Sequence, residues 1–283
     1  MKPEPQSIDG LGEIIAAHDL FLVDQYGVLH DGRKLFPGVV ATLNAIKSAG
    51  KTSIILTNSG RRAAQNVQRL VNLGLAPGSF SHVVSSGEVS WHALDKGRFG
   101  PPFVRGAKVH VVGVKGEDYG LAGLDLQFTD DPALAELILI LGSDAPRTSL
   151  SEYRKLLAPA ARAGIAALSS NPDKLMHTSK GLQPAPGAIA EIYEDLGGTV
   201  RYIGKPYPDI YRYALDLAPK TPKSRVLAIG DSVEHDIAGA ARMGFKSLLI
   251  RGGILVEVDG AGLENLYAEY QAWPTYVMGK LAL

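Results

Sequence analysis

The sequence predicts an α/β protein built on a parallel sheet, and three observations predict it. Short apolar runs end in polar residues: Leu20 to Val23 before Asp24, Thr52 to Leu56 before Thr57 and Asn58, and Val226 to Ile229 before Gly230 and Asp231. Between such runs lie segments with apolar residues at helix spacing, such as Val39, Leu43 and Ile46 between Pro37 and Gly50. Glycine is abundant, 32 of 283 residues, as many tight turns between short elements require. Strands that are apolar throughout are covered on both faces, and strand, helix, strand alternation makes them parallel, because a crossover must carry the chain back to the starting end. Right-handed crossovers then bring every strand's C-terminal end to one edge, where ligands of such sheets bind.

Along the chain, the first strand and helix lead to the strand Thr52 to Leu56 and to a helix carrying Val67, Leu70 and Val71 before Gly74. Gly97 to Gly106 contains Gly-Pro-Pro and reads as a linker. Beyond it, Lys108 to Val114, Leu137 to Leu141 and Ile165 to Leu168 read as strands around a helix at Leu150 to Ala163. The opening pattern then resumes: a helix at Gly187 to Leu196, a strand at Val200 to Ile203, a helix at Pro208 to Leu217, the strand Val226 to Asp231, a helix at Glu234 to Met243 and a strand at Lys246 to Ile250. This predicts a core domain made of residues 1–85 and 185–283, with a smaller α/β domain inserted at 86–184.

Composition removes several classes of function. Hydrophobic residues are 46% and charged ones 20%, so the chain is not disordered by composition. Lys plus Arg equals Asp plus Glu, at 29 each, and no global field draws in nucleic acid or an anionic membrane. Apolar runs such as Leu137 to Leu141 fall far short of the roughly 18 residues that read as a membrane span. Met1 to Gly10 lacks the apolar core of an export signal, so a cytoplasmic protein is expected. With no cysteine, disulfides, thiolate metal sites and cysteine nucleophiles are excluded. The histidines show no ligand spacing such as His-x-x-x-His.

Four polar clusters carry the chemistry: Asp24-Gln25-Tyr26-Gly27-Val28, Thr57-Asn58-Ser59, Gly204-Lys205-Pro206, and Gly230-Asp231-Ser232 with Asp236. Singly, each also has a structural reading, since Asp24 closes a strand and Asp231 or Thr57 could cap a helix. Parallel topology, however, brings all four to one sheet edge. Together they suit phosphoryl transfer through a carboxylate nucleophile, which needs cations and donors to offset the repulsion of a phosphate dianion. Asp24 and Asp231 supply carboxylates of the kind Mg²⁺ favours, Thr57 and Asn58 supply a hydroxyl and an amide, and Lys205 supplies a point charge.

With these four ordered motifs the chain resembles the haloacid dehalogenase (HAD) superfamily over nearly its whole length. The inserted segment, with Asn171-Pro172-Asp173 and Pro186-Gly187-Ala188, resembles subfamily IIA, the group of nucleotide-sugar and pyridoxal phosphate phosphatases with a large α/β cap. The resemblance implies a three-layer, Rossmann-like core with a parallel sheet, and an inserted cap that chooses the substrate. It implies Asp24 as nucleophile, Mg²⁺ held by Asp24, Asp231, Asp236 and the Tyr26 backbone carbonyl, and phosphate held by Thr57, Asn58 and Lys205. The expected activity is Mg²⁺-dependent hydrolysis of a small phosphorylated metabolite, and a homodimer is left open.

Tyr26 departs from the pattern. Phosphatases of this family carry a second Asp two residues after the nucleophile as general acid and base, and a phenol with a pKa near 10 is a poor base at neutral pH. Slow phosphatase activity follows as one expectation. The 2-haloacid dehalogenases carry Asp-x-Tyr-Gly at this motif, so carbon-halogen displacement is an alternative reading, and a catalytically feeble binder of phosphorylated ligands is another. Arg61-Arg62 could draw in an anion or be exposed helix basicity, His30-Asp31-Gly32 could line the site's entrance or form a turn, and Arg251-Gly252-Gly253 reads as a turn.

Overall fold

The computed structural model describes residues 4–145, 147–178 and 181–283. The chain forms two compact units, the first made of the chain up to Thr57 with Ala64–Val84 and Lys205–Leu283, the second of Asn58–Ala63 and Ser85–Gly204. The chain begins with β1 (Gln6–Ser7), β2 (Leu20–Val23), α1 (Val39–Ser48), β3 (Thr52–Thr57), α2 (Ala63–Asn72) and β4 (His82–Ser85). Next come α3 (Ser86–Asp95), β5 (Lys108–Val112), β6 (Gln127–Phe128), β7 (Leu137–Ile140), α4 (Leu150–Arg162), β8 (Ala166–Ser169), the hairpin β9 (Leu175–Thr178) and β10 (Gly181–Pro184), α5 (Pro186–Asp195) and β11 (Thr199–Tyr202). It finishes with α6 (Pro208–Asp216), β12 (Val226–Gly230), a π-helical turn (Val233–Ile237), α7 (Ala238–Met243), β13 (Lys246–Ile250), α8 (Gly260–Tyr270) and β14 (Tyr276–Met278).

The first unit is built on a seven-stranded sheet of order β1-β14-β13-β12-β2-β3-β4. Its central strands run parallel, with Val23 in register with both Ile229 of β12 and Ile55 of β3. Every residue of β2 and β12 is buried, which is why these strands are apolar from end to end. The register sets the function: Asp24, Thr57 and Gly230-Asp231 all fall at the C-terminal ends of three adjacent strands. The Asp24 N–H extends the ladder by one more bond, to the Ile229 carbonyl at 2.8 Å, so the backbone of Asp24 is held while its side chain leaves the sheet.

The second unit has its own five-stranded sheet of order β11-β8-β7-β5-β6, with every pairing parallel. Its core packs Ile138 and Ile140 of β7 and Leu157 of α4 with Ile189, Ala190 and Tyr193 of α5. Lys108 to Leu168 therefore forms a separate sheet, as the sequence predicts. The expected boundary at 185 does not hold: α5 and β11 belong to this second unit, because β11 pairs with β8 (Thr199 opposite Ala166) and α5 fills the second core. Hydrophobic periodicity says that a strand exists, not which sheet it joins. Residues 58–63 belong to the second unit as well.

The expected helix at 234–243 also differs. Its first turn is π-helical, Val233–Ile237, with the Ile237 N–H reaching back five residues to the Ser232 carbonyl at 3.2 Å. Such wide turns occur frequently at functional sites. Here the turn lets the Asp236 carboxylate fold back and accept a bond from the Ser232 N–H at 3.2 Å. Among the described residues, no helix is long and apolar enough to cross a membrane.

Candidate active site

Three carboxylates, Asp24, Asp231 and Asp236, offer ligand oxygens within 4.8 Å of one another, and all three are buried. Asp24 comes from the end of β2, Asp231 from the end of β12, and Asp236 from the π-helical turn that follows. Lys205, 3% exposed, enters the same cluster, donating from Nζ to Asp236 Oδ1 at 2.7 Å and to Asp24 Oδ1. Burial opposes the ammonium charge of Lys205, but Asp236 and Asp24 outweigh it and hold the group above its ordinary range. Burial pushes the Asp24 carboxyl up; Lys205 opposes the rise and Asp236 adds to it. Tyr211 is fully buried in the core beside this cluster, and burial and Asp236 both raise its phenol.

One ammonium among three buried carboxylates leaves an excess of negative charge, which is expensive in a site shielded from water. Hard oxygen donors at this spacing suit a hard divalent cation, and the donor set therefore fits one. Asp231 is held from two sides. A Cβ on Gly27, whose φ is +85°, would sit 2.1 Å from Asp231 Oδ2, and one on Gly253, whose φ is +54°, would sit 1.7 Å from it. Gly253, which the sequence assigns only to a turn, leaves the space that Asp231 occupies; its place after β13, at the same sheet edge, is the signal. Gly27→Ala is expected to destabilise the protein by about 1–3 kcal/mol from the backbone strain alone, and to displace Asp231. Chemical denaturation of the variant, with and without divalent cation, checks both effects.

Thr57 ends β3 and is 8% exposed, at the same strand edge. Asn58, in the second unit, donates from Nδ2 to Asp173 Oδ1 at 2.8 Å, and Asp173 is itself positioned by its N–H bond to Asn171 Oδ1 at 2.9 Å. Arg61 pairs with Glu117 at 2.6 Å, while Arg62 makes a two-pronged pair with Glu88, at 2.7 and 2.9 Å, and lies over the Trp91 ring. Both guanidinium groups are thus engaged by carboxylates of the second unit, and neither is simple exposed basicity.

Tyr26 is 37% exposed, with its ring edge-on to His30 at 5.7 Å. Burial raises its phenol above the ordinary value; Asp31 adds to this, and Arg69 opposes it. His30 does not line an entrance, being 1% exposed beneath the loop. Its Nδ1 accepts from the Gly32 N–H at 2.9 Å, so the neutral ring carries its proton on Nε2, which lies 3.2 Å from the Gln25 amide nitrogen. Turning that amide over places its oxygen, otherwise buried without a partner, as the acceptor for Nε2. Burial pulls His30 down to about 4, and the ring is a neutral brace of the loop at physiological pH.

Residues 21–127 match the haloacid dehalogenase-like hydrolase family, and residues 202–282 match a HAD hydrolase-like family. The chain is 28% identical over 270 residues to the D-glycerol 3-phosphate phosphatase of Mycobacterium tuberculosis, spanning 93% of this chain and 70% of that protein. A solved haloacid dehalogenase-like hydrolase from Brucella suis superposes with a TM-score of 0.84 at 27% identity, covering 97% of this chain and all of that one. The glycerol phosphate phosphatase from Mycobacterium tuberculosis in complex with magnesium superposes with a TM-score of 0.72 at 28% identity, over 93% of this chain and 76% of the other. The chain belongs to the haloacid dehalogenase-like hydrolases.

Proposed function

We propose that this chain is a Mg²⁺-dependent phosphatase of small phosphate monoesters, working through an aspartyl-phosphate on Asp24. The observation that carries this reading is the convergence of Asp24, Asp231, Asp236 and Lys205 at one buried strand edge. The phosphatase relatives and the magnesium-bound neighbour support it. Bound there by Asp24, Asp231, Asp236 and the Tyr26 carbonyl, Mg²⁺ supplies positive charge against the phosphate dianion.

The residues then divide the work. Lys205 orients the Asp24 carboxylate and, with Thr57 and Asn58, binds phosphate oxygens. Asp24 attacks phosphorus, the bond to the leaving oxygen breaks, and water later attacks phosphorus to restore the carboxylate. The second unit is assigned the choice of substrate, and the cytoplasm is the proposed location. Displacement at a carbon-halogen centre is the weaker reading, because it needs no divalent cation, whereas three buried carboxylates are a donor set for one.

The test is a screen of phosphorylated metabolites and 2-chloro acids with and without Mg²⁺. Phosphate release that chelation abolishes is expected; chloride release indifferent to metal would sink the reading. A second outcome concerns binding alone. Mg²⁺ at 100 times its dissociation constant should stabilise the wild type by about 2.7 kcal/mol, and Asp231→Asn should lose most of that gain in a thermal-shift titration.

A further inference from the structure

Lys47 stands in the last turn of α1 and Lys51 just before β3, and with Ser53 and the segment at residues 78–81 they line a cleft of about 240 Å³. All of these residues belong to the first unit. Ser53 is the second residue of β3, so the cleft opens at the N-terminal end of a central strand. Thr57 ends that strand four residues further on, roughly 13 Å away at ~3.3 Å per residue. The cleft is therefore separate from the carboxylate cluster at the C-terminal edge.

The charges that line it are of one sign. Lys47 makes no ion pair among the described residues, and its Nζ lies 3.8 Å from where a Cβ on Gly78 would sit, so the ammonium reaches over that turn. Lys51 donates to Asp19 at 2.7 Å, but Arg225 engages both oxygens of the same carboxylate, through Nε and through Nη2 at 2.8 Å. Two cations thus share one anion, and Lys47 is left over. Like charges beside one cleft repel unless something of opposite sign lies between them.

The neutral groups are hydroxyls with protons to give. Ser53 and Ser79 are 2% and 5% exposed, and neither side chain has a hydrogen-bond partner among the described residues. A hydroxyl sunk this far without a partner costs free energy, and both line the cleft. Ser81 Oγ accepts from the Ser53 N–H at 3.3 Å, and the Ser53 carbonyl accepts from the Ser81 N–H at 2.8 Å. This clasp fixes the two segments against each other and leaves the Ser81 O–H to donate.

We propose that this cleft is a second, non-catalytic site for a small phosphate-bearing anion, with Lys47 and Lys51 supplying charge and Ser53, Ser79 and Ser81 supplying hydrogen bonds. Two ammonium groups and three hydroxyls present donors from several directions. The three or four oxygens of a phosphate group, all acceptors, meet such a set better than the two of a carboxylate, and lysine binds phosphate as a point charge. The volume lies below the about 300–1,000 Å³ of pockets for drug-sized ligands, which restricts the occupant to inorganic phosphate or a phosphate carrying a few carbons, with Phe80 as the apolar wall for those carbons.

The test is calorimetric titration of the full chain with inorganic phosphate and with propylphosphonate, a non-hydrolysable organic analogue, in the presence of chelator. Without a divalent cation the three buried carboxylates of the catalytic edge repel a dianion, so the second site is observed by itself. Lys47→Met removes an exposed charge and keeps the aliphatic stem, and Ser79→Ala removes a hydroxyl that bonds nothing, so both variants should fold as the wild type does. One saturable site is expected, weakened about 10- to 100-fold in Lys47→Met, the worth of a hydrogen bond to a charged group, weakened also in Ser79→Ala, and unchanged in Thr57→Ala. Either order of affinity between the two probes supports the site and identifies its source, free phosphate or a phosphate ester. The proposal is overturned by the absence of saturable binding at millimolar concentrations, by binding that Lys47→Met and Ser79→Ala leave intact, or by binding that Thr57→Ala abolishes, which would place the anion at the catalytic edge.

Discussion

Asp24→Asn is expected to abolish turnover, by a factor on the order of 10⁴ or more as for other removed nucleophiles, while leaving the fold as stable as before. The first half follows from chemistry: an amide oxygen does not form the covalent intermediate that a carboxylate forms. The second half follows from the electrostatics of the cluster. Burial raises Asp24 in the folded protein above its unfolded value, so the folded state favours the protonated carboxyl and the ionised form costs stability at neutral pH. That cost is absent at pH below the unfolded carboxylate range and grows as the pH rises through it. Asparagine removes one of three close negative charges and leaves Lys205 paired to Asp236 at 2.7 Å. The melting temperature in metal-free buffer at neutral pH should therefore hold or rise, the usual trade of function against stability. A fall of several degrees would show instead that Asp24 anchors Lys205 and that the cluster is structural first.

The site was legible in the sequence to the extent that it lies where apolar runs stop. Asp24, Thr57 and Asp231 each follow a run that only a central strand explains, and parallel register does the rest. What patterns could not give was partnership. The alternation of α5 and β11 has the same period as that of the core, and only its pairing with β8 assigns it to the second sheet. His30 looked like a loop residue because polarity in a sequence suggests exposure; its burial depends on Gly32 and Gln25 satisfying both ring nitrogens. Gly253 was hidden for a related reason, since its importance is the space it leaves for Asp231, and space has no sequence signature. The wide turn at Val233–Ile237 could not be read from a helical pattern that continues smoothly through it.

Tyr26→Asp is expected to raise the turnover of alkyl phosphates by about 10- to 1000-fold, an unusual direction for a change beside a nucleophile. Tyr26 is 37% exposed and its ring bears on His30 and Gly32, so the smaller side chain removes little core packing. Arg69, already close enough to lower the phenol's pKa, offers the new carboxylate a favourable neighbour. A carboxyl at this position can protonate the leaving oxygen and then draw a proton from the water that attacks phosphorus, two tasks for which a phenol raised above its ordinary value is badly matched. If the site instead displaced halide from a 2-chloro acid, the same change would hurt, because a further negative charge would repel the substrate's own carboxylate. A protein that only binds phosphorylated ligands would gain nothing, since one carboxyl does not align a substrate for in-line attack. Parallel phosphate-release and chloride-release assays of wild type and variant separate the three, and a variant slower than wild type on every phosphate ester would show that Tyr26 itself assists the chemistry.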